Sequence, residues 1–151
     1  MTEAAPSEGV DPCGLLLGQC LCRAVTVRVG AHEPQIGACH CRMCQRWSGG
    51  LFLSFFASEI EVEGPVARYR SSDFAERAYC AVCGSNLWMH DIGTKRWDMV
   101  PGLFDATRDW PLASEIYTDR ALAALHLQGG HKRETRADYE THHAFVEGDQ
   151  P

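Results

Sequence analysis

Val25, Val27 and Val29 alternate with Thr26 and Arg28, the two-residue period of a strand with one buried face. The run 51–56, Leu-Phe-Leu-Ser-Phe-Phe, is apolar, aromatic and of strand length. Ile60 and Val62 alternate with Glu59, Glu61 and Glu63. Gly64-Pro65 then marks a turn, so 66–70 reads as the partner strand of 59–63. Residues 78–80, 86–90, 97–100 and 115–117 supply the remaining strand candidates. Helix is scarce. Asp119 is placed to cap one short helix over 120–128, with Gly129-Gly130 as its stop. From His131 onward the chain is polar and reads as a loose helix or an unstructured end. The pattern predicts a mainly β fold with little helix: a flexible leader over 1–13, a β domain over 14–130 and a polar tail over 131–151.

Composition narrows the class. A chain of 151 residues, 45% hydrophobic and 23% charged, is long enough for a core of its own and reads as one ordinary globular domain. No apolar run reaches the roughly 18 residues that a membrane-spanning helix needs. The N-terminal residues carry acids and no apolar stretch, so they do not read as a signal peptide, and the cytoplasm is the expected compartment. The formal charge of −6 argues against binding a phosphate backbone, which depends on clustered Lys and Arg. Neither nucleic acid nor membrane is expected as a partner. A homodimer is possible on these grounds, but nothing in the pattern requires one.

Candidate chemistry lies in the cysteines. Seven of the eight fall into Cys20-Leu-Cys22, Cys39-His-Cys41-Arg-Met-Cys44 and Cys80-Ala-Val-Cys83. A disulfide scaffold suits small secreted chains and fits poorly here, because such close Cys-x-Cys neighbours bridge only with strain. Zinc fits better. In a strand, residues two apart share a face, so Cys20 and Cys22 can aim at one ion, as can Cys39 and Cys41. Cys80-Ala-Val-Cys83-Gly84 has the form of a zinc knuckle. The two pairs together make a complete four-cysteine site, as structural zinc takes. The triplet supplies three thiolates and leaves one position open, as zinc bound for chemistry does. His40 alternates with Cys39 and Cys41 and should face away from their metal. Cys13, His90 and His126 are conceivable fourth ligands. Cys13 itself reads as a free thiol without a partner, and His142-His143 as a solvated pair.

The runs Gly18-Gln-Cys-Leu-Cys22, Ala38-Cys-His-Cys-Arg-Met-Cys44 and Tyr79-Cys-Ala-Val-Cys-Gly84 resemble the glutathione-dependent formaldehyde-activating enzymes, the family that also includes centromere protein V. Ser48-Gly49, Tyr69-Arg-Ser-Ser72 and Leu87 add to the likeness, which spans about residues 15–118. The resemblance implies a twisted antiparallel β-tent with two zinc ions. One is structural on Cys20, Cys22, Cys80 and Cys83; the other is catalytic on Cys39, Cys41 and Cys44. It also implies a carbon–sulfur lyase reaction that adds glutathione to formaldehyde. One departure is visible: the family usually has glycine after its first Cys-x-Cys, where this chain has Arg23.

Charge bears on mechanism. Three thiolates leave a divalent ion with one net negative charge, a poor setting for making hydroxide. Such an ion is better suited to holding an incoming thiol as thiolate, the nucleophilic form of sulfur. The partners expected are therefore a small-molecule thiol and an aldehyde. The rival reading is a non-enzymatic zinc module that uses Trp47, Trp88, Trp97 and Trp110 for protein contacts, although aromatics in a β domain are mostly core. The fourth position of the triplet discriminates the two: open beside a pocket for an enzyme, closed by a protein ligand for a module.

Overall fold

The alternating valines build the smaller of two sheets. A computed structural model describes residues 14–145. In it, β1 (Leu16–Gln19), β2 (Thr26–Val29) and β5 (Ile60–Glu63) form an antiparallel sheet in the order β1-β2-β5. The larger sheet also contains β3 (Ile36–Cys39), β4 (Phe52–Ala57), β6 (Val66–Arg70), β7 (Ala75–Cys80), β8 (Asn86–Asp91), β9 (Trp97–Met99), β10 (Leu112–Ile116) and β11 (Lys132–Glu134). Its order is β11-β10-β3-β4-β9-β8-β7-β6. The described chain is mainly β, as the pattern predicts.

The core draws on both sheets. Val25, Val27 and Val29 from the small sheet meet Phe55, Ala57, Leu87, Trp88 and Met99 from the large one, all at most 1% exposed. Burying such side chains contributes roughly 1.5–3 kcal/mol each against the entropy of ordering the chain. Trp97 and Trp110 pack against this cluster, and Trp110 lies edge-on to Phe55. Three of the four tryptophans are thus core or core-flanking rather than an exposed contact surface.

Four expectations are corrected. First, 59–63 and 66–70 do not form a hairpin. β5 pairs with β2, whereas β6 pairs with β7 at the edge of the other sheet. Gly64 and Pro65 carry the chain between sheets rather than back on itself. Gly64 has φ +111, and any side chain there would collide with the carbonyl oxygen of Ala24. Second, the sheet is mixed rather than wholly antiparallel, because β10 runs parallel to both β3 and β11.

Third, no helix forms over 120–128. A 3-10 turn at Thr118–Arg120 ends at Ala121, whose ψ of 142° is extended. Asp119 caps nothing there; its Oδ1 accepts the backbone N–H of Arg136, 2.7 Å away. A tertiary contact thus takes the side chain that a local helix would need. Fourth, the polar stretch after His131 contains a strand as well as a helix among the described residues, and 146–151 lie outside them. β11 zips onto β10, and the short helix α2 (Arg136–Glu140) begins with a reciprocal Thr135–Asp138 capping box. Among the described residues no helix is long and apolar enough to cross a membrane. The leader 1–13, with Cys13, lies outside the described residues.

Candidate active site

Two cysteine clusters form where the sequence places them. The sulfurs of Cys20, Cys22, Cys80 and Cys83 all lie within 4.8 Å of one another, as do those of Cys39, Cys41 and Cys44. Either cluster could hold a metal ion. All seven are free thiols. The first cluster ties the end of β1 to the end of β7. Its Cys20–Cys22 and Cys22–Cys80 sulfur separations are 3.6 and 3.8 Å. A tetrahedral ion with metal–sulfur bonds of about 2.3 Å requires sulfurs roughly 3.8 Å apart, so the spacing fits zinc. Backbone N–H groups of Val25 and Val82 donate to Cys20 and Cys80 at 3.3 and 3.4 Å. The hydroxyl of Ser85, 3.1 Å from Cys83, with nearby backbone N–H groups, holds that thiol down at about 5. Arg23 occupies the position of the missing glycine and adopts the left-handed conformation itself, φ 67.

The second cluster is built on a short helix that the sequence pattern does not predict. Cys39 ends β3, Cys41 is the N-cap of α1 (Arg42–Ser48), and Cys44 lies in its first turn. The Cys41 sulfur accepts the Cys44 N–H at 3.4 Å, the bond that a Ser or Asp makes at an ordinary N-cap. Thiol is not among the common capping groups, and seven residues show no helical period, so the signal was weak. Gly49, at φ 88, closes the helix. The three sulfurs compete for one negative charge. S–H donation from Cys39 and Cys44 holds Cys41 at about 3. Cys39 is pushed well above its ordinary value by Cys41, then by Cys44 and burial. Cys44 is helped by Cys39, yet Cys41 and burial together push it up to about 12. A divalent cation removes that conflict, because it favours the thiolate at every sulfur.

No fourth His, Cys, Asp or Glu joins this cluster among the described residues. His90 stacks on Trp97 at 4.7 Å, with its Nε2 2.9 Å from the Thr94 carbonyl oxygen. His126 is exposed. Instead the cluster opens onto a cavity of about 730 Å³. Its walls bring in groups that sequence reasoning missed: Arg77 from β7, Asp98 from β9 and Tyr139 from α2. Burial raises the Asp98 carboxyl to about 6 against the pull of Arg96, 3.4 Å away. His142 and His143 are both exposed, as expected, and His143 also stacks on Tyr139 at 4.2 Å at the edge of the cavity. A second groove of about 950 Å³ lies beside the first cluster, lined by Arg23, Arg28, Glu61, Glu63 and Asp105. Sequence alone does not reveal the wall, since strand pairing brings 77 and 98 together and the packing of α2 adds 139.

His40 turns away from the sulfurs, as strand alternation predicts. Fully buried, it places Nε2 2.8 Å from Glu115 Oε1. Nε2 of His131 lies 2.7 Å from the other oxygen, and Arg133 Nε lies 3.3 Å from it. This carboxylate, buried between two imidazoles, clamps β11 and β3 onto β10. Burial would raise it, but the imidazole contacts prevail and lower it from its ordinary value of 4.5. A lowered folded value means stability that is present above the unfolded value and lost as pH falls through the folded one. Glu115→Gln should therefore cost about 3 kcal/mol at pH 7. In urea unfolding the gap to wild type should narrow below pH 4.5. A gap independent of pH would refute this role.

Residues 15–120 match the model of the glutathione-dependent formaldehyde-activating enzyme family. An "Uncharacterized lyase" of Schizosaccharomyces pombe is 35% identical over 74 residues, 47% of this chain and 54% of that one. The match spans about half of that relative's length. A "Putative glutathione-dependent formaldehyde-activating enzyme" of Halomonas elongata is 33% identical over 127 residues, covering 75% of this chain and 74% of its own. A crystal structure of a Rhodobacter sphaeroides protein shares the fold, with a TM-score of 0.53 at 17% identity over 65% of this chain and all of that one. The family model covers both cysteine clusters and most of the described strands, and the chain belongs to the glutathione-dependent formaldehyde-activating enzyme family.

Proposed function

We propose that the protein is a zinc-dependent carbon–sulfur lyase that joins a small thiol, glutathione or a relative of it, to formaldehyde or another small aldehyde. The observation that carries this reading is the three-cysteine cluster: it has no fourth protein ligand among the described residues and opens onto the cavity. A binding module would have no use for an unsatisfied metal position facing a chamber. Cys20, Cys22, Cys80 and Cys83 would hold a structural zinc, and Cys39, Cys41 and Cys44 a second. The second ion, when bound, supplies a place for a sulfur ligand and keeps that sulfur deprotonated.

The protein's own groups would do the rest. The cavity orients the two reactants, and that proximity lowers the barrier by converting a bimolecular encounter into a bound one. Addition forms a carbon–sulfur bond, opens the carbonyl π bond and places the proton lost by the thiol on oxygen. Asp98, at about 6, is a wall group able to exchange a proton near neutrality. The names of the relatives point the same way, to a lyase and to formaldehyde activation. The test is a matrix of thiols against aldehydes with protein carrying two zinc equivalents, followed by NMR of the hemithioacetal. Product formation faster than the uncatalysed rate for at least one pair is expected. No acceleration across the matrix would refute the reading.

A further inference from the structure

Arg77 is buried at 5% exposure, yet no carboxylate pairs with it among the described residues. Its Nη2 lies 3.7 Å from the Cys44 sulfur, and its Nη1 is buried without a hydrogen-bond partner. The guanidinium lies over Trp47 of α1, with Cζ 4.6 Å from the ring centroid. It is thus held between the helix that carries Cys44 and the cavity wall. Two acids of the same sheet have other partners. Glu76 pairs with Arg68 at 3.2 Å and Asp98 with Arg96 at 3.4 Å.

A guanidinium keeps its proton at any accessible pH, and an unpaired buried charge is strongly disfavoured. The group in direct contact with Arg77 that can carry a balancing negative charge is the Cys44 sulfur. We propose that Arg77 is the built-in counter-charge of the three-cysteine cluster. Three thiolates around a divalent ion leave one net negative charge, and Arg77 brings the assembly to neutrality. The open position can then accept one more anionic sulfur without stacking a second uncompensated charge in the cavity. Arginine suits the task better than lysine, because its plane stacks on Trp47 while its edge faces sulfur. This inference rests on the proposed assignment of a metal to the triplet and makes Arg77 a positioning residue rather than a catalytic one.

The test compares wild type, R77M and R77K, each loaded with two metal equivalents, by chelator competition and by the sulfur-to-cobalt charge-transfer band of the cobalt forms. R77M should release the second ion at about tenfold lower chelator concentration, the size of effect seen when an outer partner of a metal ligand is removed. The ion on Cys20, Cys22, Cys80 and Cys83 should be unaffected, the charge-transfer band should shift, and R77K should recover most of the retention. Equal retention and an unchanged band in folded R77M would overturn the proposal. If R77M does not fold, wild type labelled with ¹⁵N-arginine decides. One guanidinium signal, assigned by its loss in R77K, should respond to the second zinc equivalent and not to the first, and no response would overturn the proposal. None of these readouts uses turnover. An inactive wild type would sink the thiol–aldehyde reaction and leave the Arg77 assignment standing.

Discussion

Replacing Cys41 by serine should leave a folded protein that holds one metal ion in place of two and loses turnover by about a thousandfold. The two halves of that result have separate causes. The hydroxyl of serine caps a helix as well as the Cys41 sulfur does, so α1 keeps the bond to the Cys44 N–H. Two remaining thiolates make a poor zinc site, so the second ion should be lost. A bound metal supplies several kcal/mol of transition-state stabilisation, and about 4 kcal/mol corresponds to about three powers of ten in rate. Metal analysis, thermal unfolding and the thiol–aldehyde assay on one preparation check all three points. Full turnover with a single ion would show that the triplet is not the seat of the reaction.

The opposite outcome is expected at Cys80. Cys80→Ser should abolish cooperative unfolding at 25 °C, because the four-cysteine cluster ties both sheets together. Cys80 is 1% exposed and belongs to the core. Losing an apolar contact of that size costs only about 1–2 kcal/mol. A structural zinc site contributes about 10 kcal/mol or more, comparable to the entire stability of a domain this size. Circular dichroism and calorimetry, with C41S as the comparison, separate the two clusters. A well-folded Cys80→Ser protein would mean that the core carries the fold without the ion.

The strands marked by alternation, an apolar run or a flanking turn were legible: β2, β4, β5, β6 and β8 fall within a residue or so of their sequence pattern. Both cysteine groupings were legible too, because ligand spacing is local and strand geometry fixes which sulfurs share a face. What remained hidden depends on non-local pairing. β5 has the same alternation whether it pairs with β2 or β6, and nothing nearby in sequence decides between them. β11 looks like a polar tail because its Arg133, with His131 just before it, answers Glu115 rather than a hydrophobic layer. Arg77 is one of two adjacent charged residues in a short strand, and its meaning comes from Trp47 and Cys44, both some thirty positions away.

A metal bridge between the ends of β1 and β7 would also set how the molecule bears load. With an ion on the four cysteines, Cys22 and Cys80 are joined across 58 positions. Tension between the two ends of the chain would enter at β1, cross the metal–sulfur bonds and leave through β8, bypassing the strands between. About 200 Å of extended chain would stay slack until a metal–sulfur bond ruptured. The three-cysteine cluster lies within that shielded loop, with Cys39, Cys41 and Cys44 all between the two anchors. Arg77 lies within it as well.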